Sequence, residues 1–256
     1  MRIFEEAEQV AALSLQGPCS ASMLVAAGFD ISALKPFGMA SFPFGTSELT
    51  ISRTGFTGDL GYEVWTGPAN ALPLWDALFT ASAPFGIRPI GSNTLNLARI
   101  EAGFIITNLD FVPVQQTVRK DRSRGPLDMG LDWMIDWDKG HFNGRRALLA
   151  ERDNGTSHWA LVGLDIKGNV SAEESLLCHN RKSEAGFITA AAWSPTTKRN
   201  IAIAHLARKY AQGTNLWVEI YALKELQYVK LVVPVRVVDR PFFKPARERA
   251  TLPGRF

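Results

Sequence analysis

Two patterns of hydrophobic and polar residues divide the sequence. In the first half, apolar residues recur at helical spacing over Ala69–Ala81 and over Gly91–Ala102, which predicts two amphipathic helices. A shorter helix is predicted to begin near Pro18 and to end at Gly28, because glycine commonly terminates helices. The apolar sides should face a core. The expected core residues are Leu72, Trp75, Leu78 and Phe79 in the first long helix, and Leu95, Leu97, Ala98 and Ile100 in the second.

From Trp159 onward the pattern changes to short alternating segments separated by turn residues. Short strands at this spacing are typical of an antiparallel barrel or sandwich. We therefore predict an α+β fold in three parts: an α+β domain at residues 1–124, a crossover at 125–157 with a short helix at Arg145–Leu149, and a β domain at 158–256. The predicted strands are Ala160–Ile166, Ala185–Ala191, Asn200–Leu206, Asn215–Tyr221 and Gln227–Val238.

The most informative stretch is SRTGFTGDLGYE, which runs from Ser52 to Glu63. Alternating residues predict a strand over Glu48–Ser52 before it and another over Tyr62–Trp65 at its end. The connection holds three glycines, and glycine permits both positive φ and the close approach of a backbone or a ligand. On spacing alone, a long hairpin loop with a solvated glutamate and a binding loop are equally compatible with this pattern.

The sequence of this stretch resembles SRTGYTGEDGYE, a signature of the glycine-cleavage T-protein (aminomethyltransferase) family, which transfers one-carbon units to tetrahydrofolate. Five further blocks resemble the family in the same order along the chain. They begin at Leu13 (LSLQGP), Ala98 (ARIEAG), Asp138 (DKGHFNGR), Gly186 (GFITAAAWSP) and Pro241 (PFFKP). The resemblance therefore covers almost the whole chain.

The resemblance implies a folate site. In the family, the last glutamate of the signature hydrogen-bonds the pterin ring and the aromatic residue after Thr-Gly lines the pocket; these positions are Glu63 and Phe56. Tyr62 and Arg99 complete the predicted set of cofactor-binding residues. A carboxylate can accept two N–H bonds from the 2-amino-pyrimidine edge of a pterin, and charge-assisted bonds are strong. The implied cofactor is tetrahydrofolate, and the implied fold is a folate-binding α+β domain followed by a C-terminal antiparallel Greek-key β-barrel.

The chain also departs from the family. Family members carry a long segment, with the catalytic aspartate, before the LQGP block, whereas twelve residues precede Leu13 here. We therefore expect a truncated or split form and assign no catalytic residue, since Asp59 and Asp110 stand at other positions. Leu95 and Asn96 replace an Arg and an Asp of glycine-cleavage members, which makes this helix more similar to those of folate-dependent demethylases acting on sarcosine, dimethylglycine or methyl-sulfonium compounds.

Three hypotheses of function follow. The first is a tetrahydrofolate-dependent aminomethyl or methyl transferase, whose partners would be a small amine or sulfonium donor and either a lipoyl carrier protein or a chain supplying the missing segment. The second is a non-catalytic folate-binding module. The third is a folate-binding protein that maintains iron–sulfur enzymes, because KGHFNG at Lys139–Gly144 is similar to KGCYxGQ, with His141 in place of the cysteine.

Composition narrows these classes further. The net charge of +3 is small and no recognition-helix or RNP signature occurs, so no nucleic-acid partner is expected. No apolar run of about 20 residues predicts a membrane span, and a cytoplasmic location is expected. The four histidines stand singly, so no metal site is expected. We expect Cys19 and Cys178 to be buried as small hydrophobes and Lys139 to lie on the surface.

Overall fold

The structure is a computed structural model that describes residues 3–119, 122–211 and 215–250 and divides into two compact units. The first unit holds the chain up to Ala102 and again from Lys244 onward, and the second holds Gly103–Phe243. The predicted domain boundaries, after residues 124 and 157, differ from this division. Asp110 shows why, since its carboxylate is hydrogen-bonded to Thr189 of the second unit.

The first unit is a four-stranded antiparallel sheet with helices. The strand order is β1-β4-β3-β2. The strands are β1 Ala11–Gln16, β2 Met39–Phe44, β3 Ser47–Ser52 and β4 Gly61–Thr66, and the helices are α1 Ser20–Ala26, α2 Ala71–Ser82 and α3 Ser92–Glu101. One face of the sheet, including Ile51 and Val64, packs with Leu24 of α1 and with Leu74 and Leu78 of α2 in a hydrophobic core. The opposite face carries the alternate residues of each strand.

All three predicted helices of this unit are present, but the predicted apolar faces need correction. In α2 the buried residues are Leu74, Leu78 and Ser82, which follow one another at a spacing of four. Leu72 lies about 200° around the helix from Leu74 and is exposed. In α3 the buried residues are Arg99, Ile100 and Glu101, whereas Leu95 is exposed. The prediction that Leu72, Trp75 and Leu95 belong to the core was therefore wrong, because all three are exposed.

The second unit contains a closed antiparallel barrel. Its strand order is β10-β5-β8-β7-β6-β9, in which β5 lies beside the last strand of the β6-β7-β8 meander, a Greek-key arrangement. The predicted barrel and its five predicted strands are confirmed, while β2 and the four-residue β6 were not predicted. The strands are β5 Trp159–Ile166, β6 Leu176–His179, β7 Ser183–Ser194, β8 Arg199–Ala207, β9 Leu216–Lys224 and β10 Gln227–Val238, preceded by helix α4 Arg145–Asn154.

Several smaller expectations concern surface and burial. Cys178 is buried, Cys19 is only partly buried, and both are free thiols. Lys139 is exposed, as expected. Across the described ranges, no helix is both long enough and apolar enough to cross a membrane.

Candidate functional site

Glu63 lies on the face of the first sheet that points away from the core. The side chains of β4 alternate, so that Tyr62 and Val64 enter the core while Glu63 and Trp65 project from the other face. Thr54, in the loop after β3, donates its Oγ1 hydrogen to Glu63 Oε2 at 2.6 Å. Among the residues that the structure describes, no group hydrogen-bonds Glu63 Oε1. The carboxylate is therefore held by one oxygen while the other is open to a ligand.

The hydroxyl of Thr54 is itself part of a chain of hydrogen bonds. Ser52 Oγ lies 2.7 Å from Thr54 Oγ1, and Trp65 Nε1 donates to Ser52 Oγ at 3.4 Å. A hydroxyl has one hydrogen, and Thr54 uses its own toward Glu63. Ser52 must therefore donate to Thr54, which makes Glu63 the final acceptor of a chain that begins at Trp65.

Gln16 joins the LQGP turn to the signature loop. Its Nε2 donates to the carbonyl oxygen of Tyr62 at 3.3 Å, and its Oε1 accepts from Thr57 Oγ1 at 3.0 Å. The carboxamide lies so close to Gly55 and Gly61 that a Cβ atom at either glycine would collide with it. This close approach explains two of the three glycines of the loop, and it connects two blocks that the sequence comparison had linked only by resemblance.

A segment far along the chain also fixes the signature loop. Arg247 donates to both carboxylate oxygens of Asp59, each at 2.6 Å, and this hydrogen bonding raises the pKa of the Arg247 guanidinium. Arg53, in turn, donates from Nη2 to the carbonyl oxygen of Ala250 at 2.6 Å. Sequence reasoning missed both contacts, because 188 residues separate Asp59 from Arg247 and neither lies in a local pattern that points to the other.

We expect Arg247→Ala to destabilise the first unit. The substitution removes a two-point, charge-assisted contact to a mostly buried carboxylate, so the free energy of unfolding should fall by roughly 1–2 kcal/mol. Urea denaturation followed by tryptophan fluorescence measures this change. Arg249→Ala is the matched control, since Arg249 is exposed and lies two residues away. Equal effects of the two substitutions would contradict the assigned role of the Arg247–Asp59 contact.

The other predicted cofactor-binding residues lie in different surroundings. Tyr62 is fully buried on the core side of β4, where burial raises the pKa of its phenol. It therefore has no direct path to a ligand on the face of Glu63. Phe56 is half-buried in the signature loop. Arg99 is fully buried near the end of α3, and its Nε donates to Asn96 Oδ1 at 2.9 Å.

Asp110 is buried in the second unit, where hydrogen bonds hold both its carboxylate and its carbonyl group. Its carboxylate accepts from Thr189 Oγ1 at 2.6 Å and from the backbone N–H of Ile106 at 2.8 Å. The carbonyl oxygen of Asp110 accepts from His205 Nε2 at 2.6 Å, which fixes the proton of the neutral imidazole on Nε2. His205 Nδ1 is buried and has no hydrogen-bond partner within the described residues. These contacts assign Asp110 and His205 to the packing of the barrel.

The burial of His205 predicts a dependence of stability on pH. Burial lowers the pKa of His205 from its ordinary 6.5, so the unfolded chain binds this proton more tightly than the folded chain. The stability that comes from keeping His205 neutral in the fold is fully present above about pH 6.5. It is lost as the pH falls toward the lower folded-state pKa, by up to about 1.4 kcal/mol of unfolding free energy for each pH unit.

His205→Gln retains an N–H donor near the position of Nε2 and removes the titration. We expect urea denaturation at pH 7.5 and at pH 5.5 to show a smaller loss of stability in His205→Gln than in the wild type. His158→Gln is the control, because His158 is exposed. An unchanged pH dependence in His205→Gln would contradict the assignment.

Two further features lie outside the surroundings of Glu63. An apolar cleft of about 390 Å³ runs along the edge strand β1, between α1, α2 and residues 83–90, and Glu63 does not line it. Within residues 3–119, 122–211 and 215–250, no group of three or more His, Cys, Asp or Glu side chains could hold a metal ion.

Two protein-family models match the chain. Residues 1–139 match the GCVT N-terminal domain, and residues 160–244 match the glycine cleavage T-protein C-terminal barrel domain. The chain belongs to the glycine cleavage T-protein family. Its signature loop and first sheet fall within the N-terminal match, and the barrel falls within the C-terminal match.

Two relatives and one solved structure show the extent of the similarity. Aminomethyltransferase of Halothermothrix orenii is 31% identical over 213 residues, which cover 83% of this chain and 56% of the relative. Aminomethyltransferase of Chlorobium phaeovibrioides is 30% identical over 251 residues, covering 96% of this chain and 63% of the relative. The chain therefore spans less than two thirds of these relatives.

The structural neighbour supports the fold of this T-protein family member. It is the crystal structure of glycine cleavage system aminomethyltransferase T from Bartonella henselae, with a TM-score of 0.76 and 22% identity. The match covers 92% of this chain and 60% of the neighbour.

Proposed function

We propose that this T-protein family member binds tetrahydrofolate at Glu63 and takes part in one-carbon transfer. The observation that carries the proposal is the state of the Glu63 carboxylate. One oxygen is anchored by Thr54 at 2.6 Å, and the other has no partner in the described part of the chain. A half-buried acceptor on a strand of a packed sheet is suited to a ligand that presents hydrogen-bond donors.

The chemistry of a pterin fits this acceptor. Its 2-amino group and the adjacent ring N–H point in the same direction and can both donate to one carboxylate. Trp65 lies two residues further along β4 on the same face and is 41% exposed, so it offers an apolar surface beside the carboxylate. We place Phe56 at the rim of the site and keep Arg99 as a member of it. Tyr62 supports β4 from the core side.

When bound, tetrahydrofolate supplies the nitrogen that accepts the one-carbon unit. The residues described above bind and orient it, and we assign the transfer step itself to no residue of this chain. A small amine or sulfonium compound is the proposed donor class, a lipoyl carrier protein is a proposed partner, and a cytoplasmic location is retained as part of the proposal.

Calorimetric titration of the 256-residue chain with 5,6,7,8-tetrahydrofolate tests the proposal. We expect saturable one-to-one binding in the micromolar range. Titration with para-aminobenzoylglutamate, which has the tail of the folate and no pterin, is the control and should give much weaker binding. Equal binding of both compounds would place recognition at the tail and would contradict the role of Glu63. An absence of binding by the folded chain would overturn the proposal itself.

A further inference from the structure

The hydrogen-bond chain behind Glu63 has a definite direction. Trp65 Nε1, Ser52 Oγ and Thr54 Oγ1 each donate toward the next group, and the chain ends at Glu63 Oε2. Ser52 is buried, so its hydroxyl has little access to water as an alternative partner. Thr54 has no second hydrogen with which to serve both Ser52 and Glu63. The direction of the chain is therefore fixed, because each hydroxyl has one hydrogen to donate and the indole nitrogen of Trp65 can only donate.

We propose that Thr54, supported by Ser52, is a positioning residue that fixes the orientation of the Glu63 carboxylate and thereby selects ligands with a donor–donor edge. The inference rests on the proposed function, and it adds a specificity determinant to it. Thr54 donates to Oε2 at 2.6 Å and thus fixes the carboxylate in one orientation, which leaves Oε1 for a ligand.

The consequence is a preference in ligand chemistry. A ring edge that presents two N–H groups satisfies an acceptor-only carboxylate, whereas an edge that lacks one of these donors leaves a lone pair without a partner in a half-buried site. The 2-amino group of a pterin is the donor that distinguishes these cases. Without Thr54, the carboxylate can rotate about its side-chain torsions, and the two ligand classes should be distinguished less well.

The test compares two ligands with a set of matched variants. Thr54→Val has nearly the same shape and lacks the hydroxyl, and Thr54→Ser retains the hydroxyl. Thr50→Val is the control for a lost hydroxyl on the same face of β3, since Thr50 pairs across from Trp65 and the side-chain hydrogen bond to Glu63 comes from Thr54. Calorimetry measures the affinity of each variant for tetrahydrofolate and for 2-desamino-2-methyltetrahydrofolate, which lacks the 2-amino group.

We expect Thr54→Val to bind tetrahydrofolate about ten-fold more weakly and to lose most of the preference for it over the analogue. Thr54→Ser and Thr50→Val should retain both the affinity and the preference within about three-fold. If Thr54→Val weakens the binding of both ligands equally, the ratio of their affinities stays unchanged. That result would indicate a general disturbance of the site and would overturn the positioning role.

Glu63→Gln distinguishes the role of Glu63 in ligand recognition from the positioning role of Thr54. If this variant loses the preference and Thr54→Val retains it, Glu63 recognises the ligand without Thr54 and the positioning role fails alone. If the wild type binds neither compound, or binds both equally, the proposed function fails and the role of Thr54 in ligand choice fails with it.

Discussion

Glu63→Gln should weaken tetrahydrofolate binding by about ten- to hundred-fold while leaving the fold intact. The substitution preserves the size of the side chain but replaces one carboxylate oxygen with an NH₂ group. That group would either face the 2-amino edge of the pterin, donor against donor, or displace the hydrogen bond from Thr54 at 2.6 Å. Calorimetric titration measures the loss, and urea denaturation reports whether the variant remains folded.

Glu48→Gln provides the matched control. Glu48 is an exposed residue of β3 that projects from the same face of the sheet as Glu63. Its substitution by Gln changes the charge of that face by the same amount as Glu63→Gln. We expect its affinity for tetrahydrofolate to stay within about two-fold of the wild type, since one exposed charge contributes little at ordinary ionic strength. Similar losses in both variants would indicate a general electrostatic attraction of the folate and not a contact at Glu63.

Gly61→Ala should lower the stability of the first unit. Gly61 lies opposite Gln16 in the β1–β4 pair, and its added Cβ would collide with the Gln16 carboxamide. Either β4 moves or Gln16 leaves its position and loses its bonds to Tyr62 and Thr57. We expect the free energy of unfolding to fall by about 2–3 kcal/mol, measured by urea denaturation.

The double variant Gly61→Ala/Gln16→Ala tests the cause. Removing the carboxamide makes room for the new methyl group, so the double variant should be about as stable as Gln16→Ala alone, a non-additive result. Gly67→Ala is the control for glycine replacement, because Gly67 has φ near −66° and open space around its Cβ position. Strictly additive losses would contradict the collision as the source of the instability.

The sequence predicted the elements of this fold better than their faces. Short apolar segments separated by turn residues identified β5 and β7–β10, although β8 is buried on both of its faces. The four residues of β6 are too few to show a period, and β2 carries Pro43 inside the strand. For α2, the buried stripe includes Ser82, a polar residue that hydrophobicity does not mark. Burial of such a residue depends on the packing of its neighbours and cannot be read from its own chemistry.

The sequence indicated some residues of the candidate site, and only the folded structure shows the others. Resemblance pointed to Glu63 through a short motif, and the structure gives this residue a partly satisfied carboxylate on a strand. Thr54 lies within the same motif, but its role depends on a side-chain hydrogen bond that spacing does not reveal. Arg247 and Gln16 reach the loop from distant parts of the chain, and only the folded arrangement shows those contacts. Tyr62, which was also predicted to bind the cofactor, faces the core, because neighbouring residues of a strand face opposite sides of a sheet.

The central claim is that Glu63 binds the donor edge of a pterin, and a crystal structure of the chain with tetrahydrofolate tests it most directly. Our account predicts that the 2-amino nitrogen lies within about 3 Å of a Glu63 carboxylate oxygen, with Thr54 still donating to Oε2. A pterin bound elsewhere, for example in the apolar cleft along β1, with Glu63 facing only solvent, would contradict it.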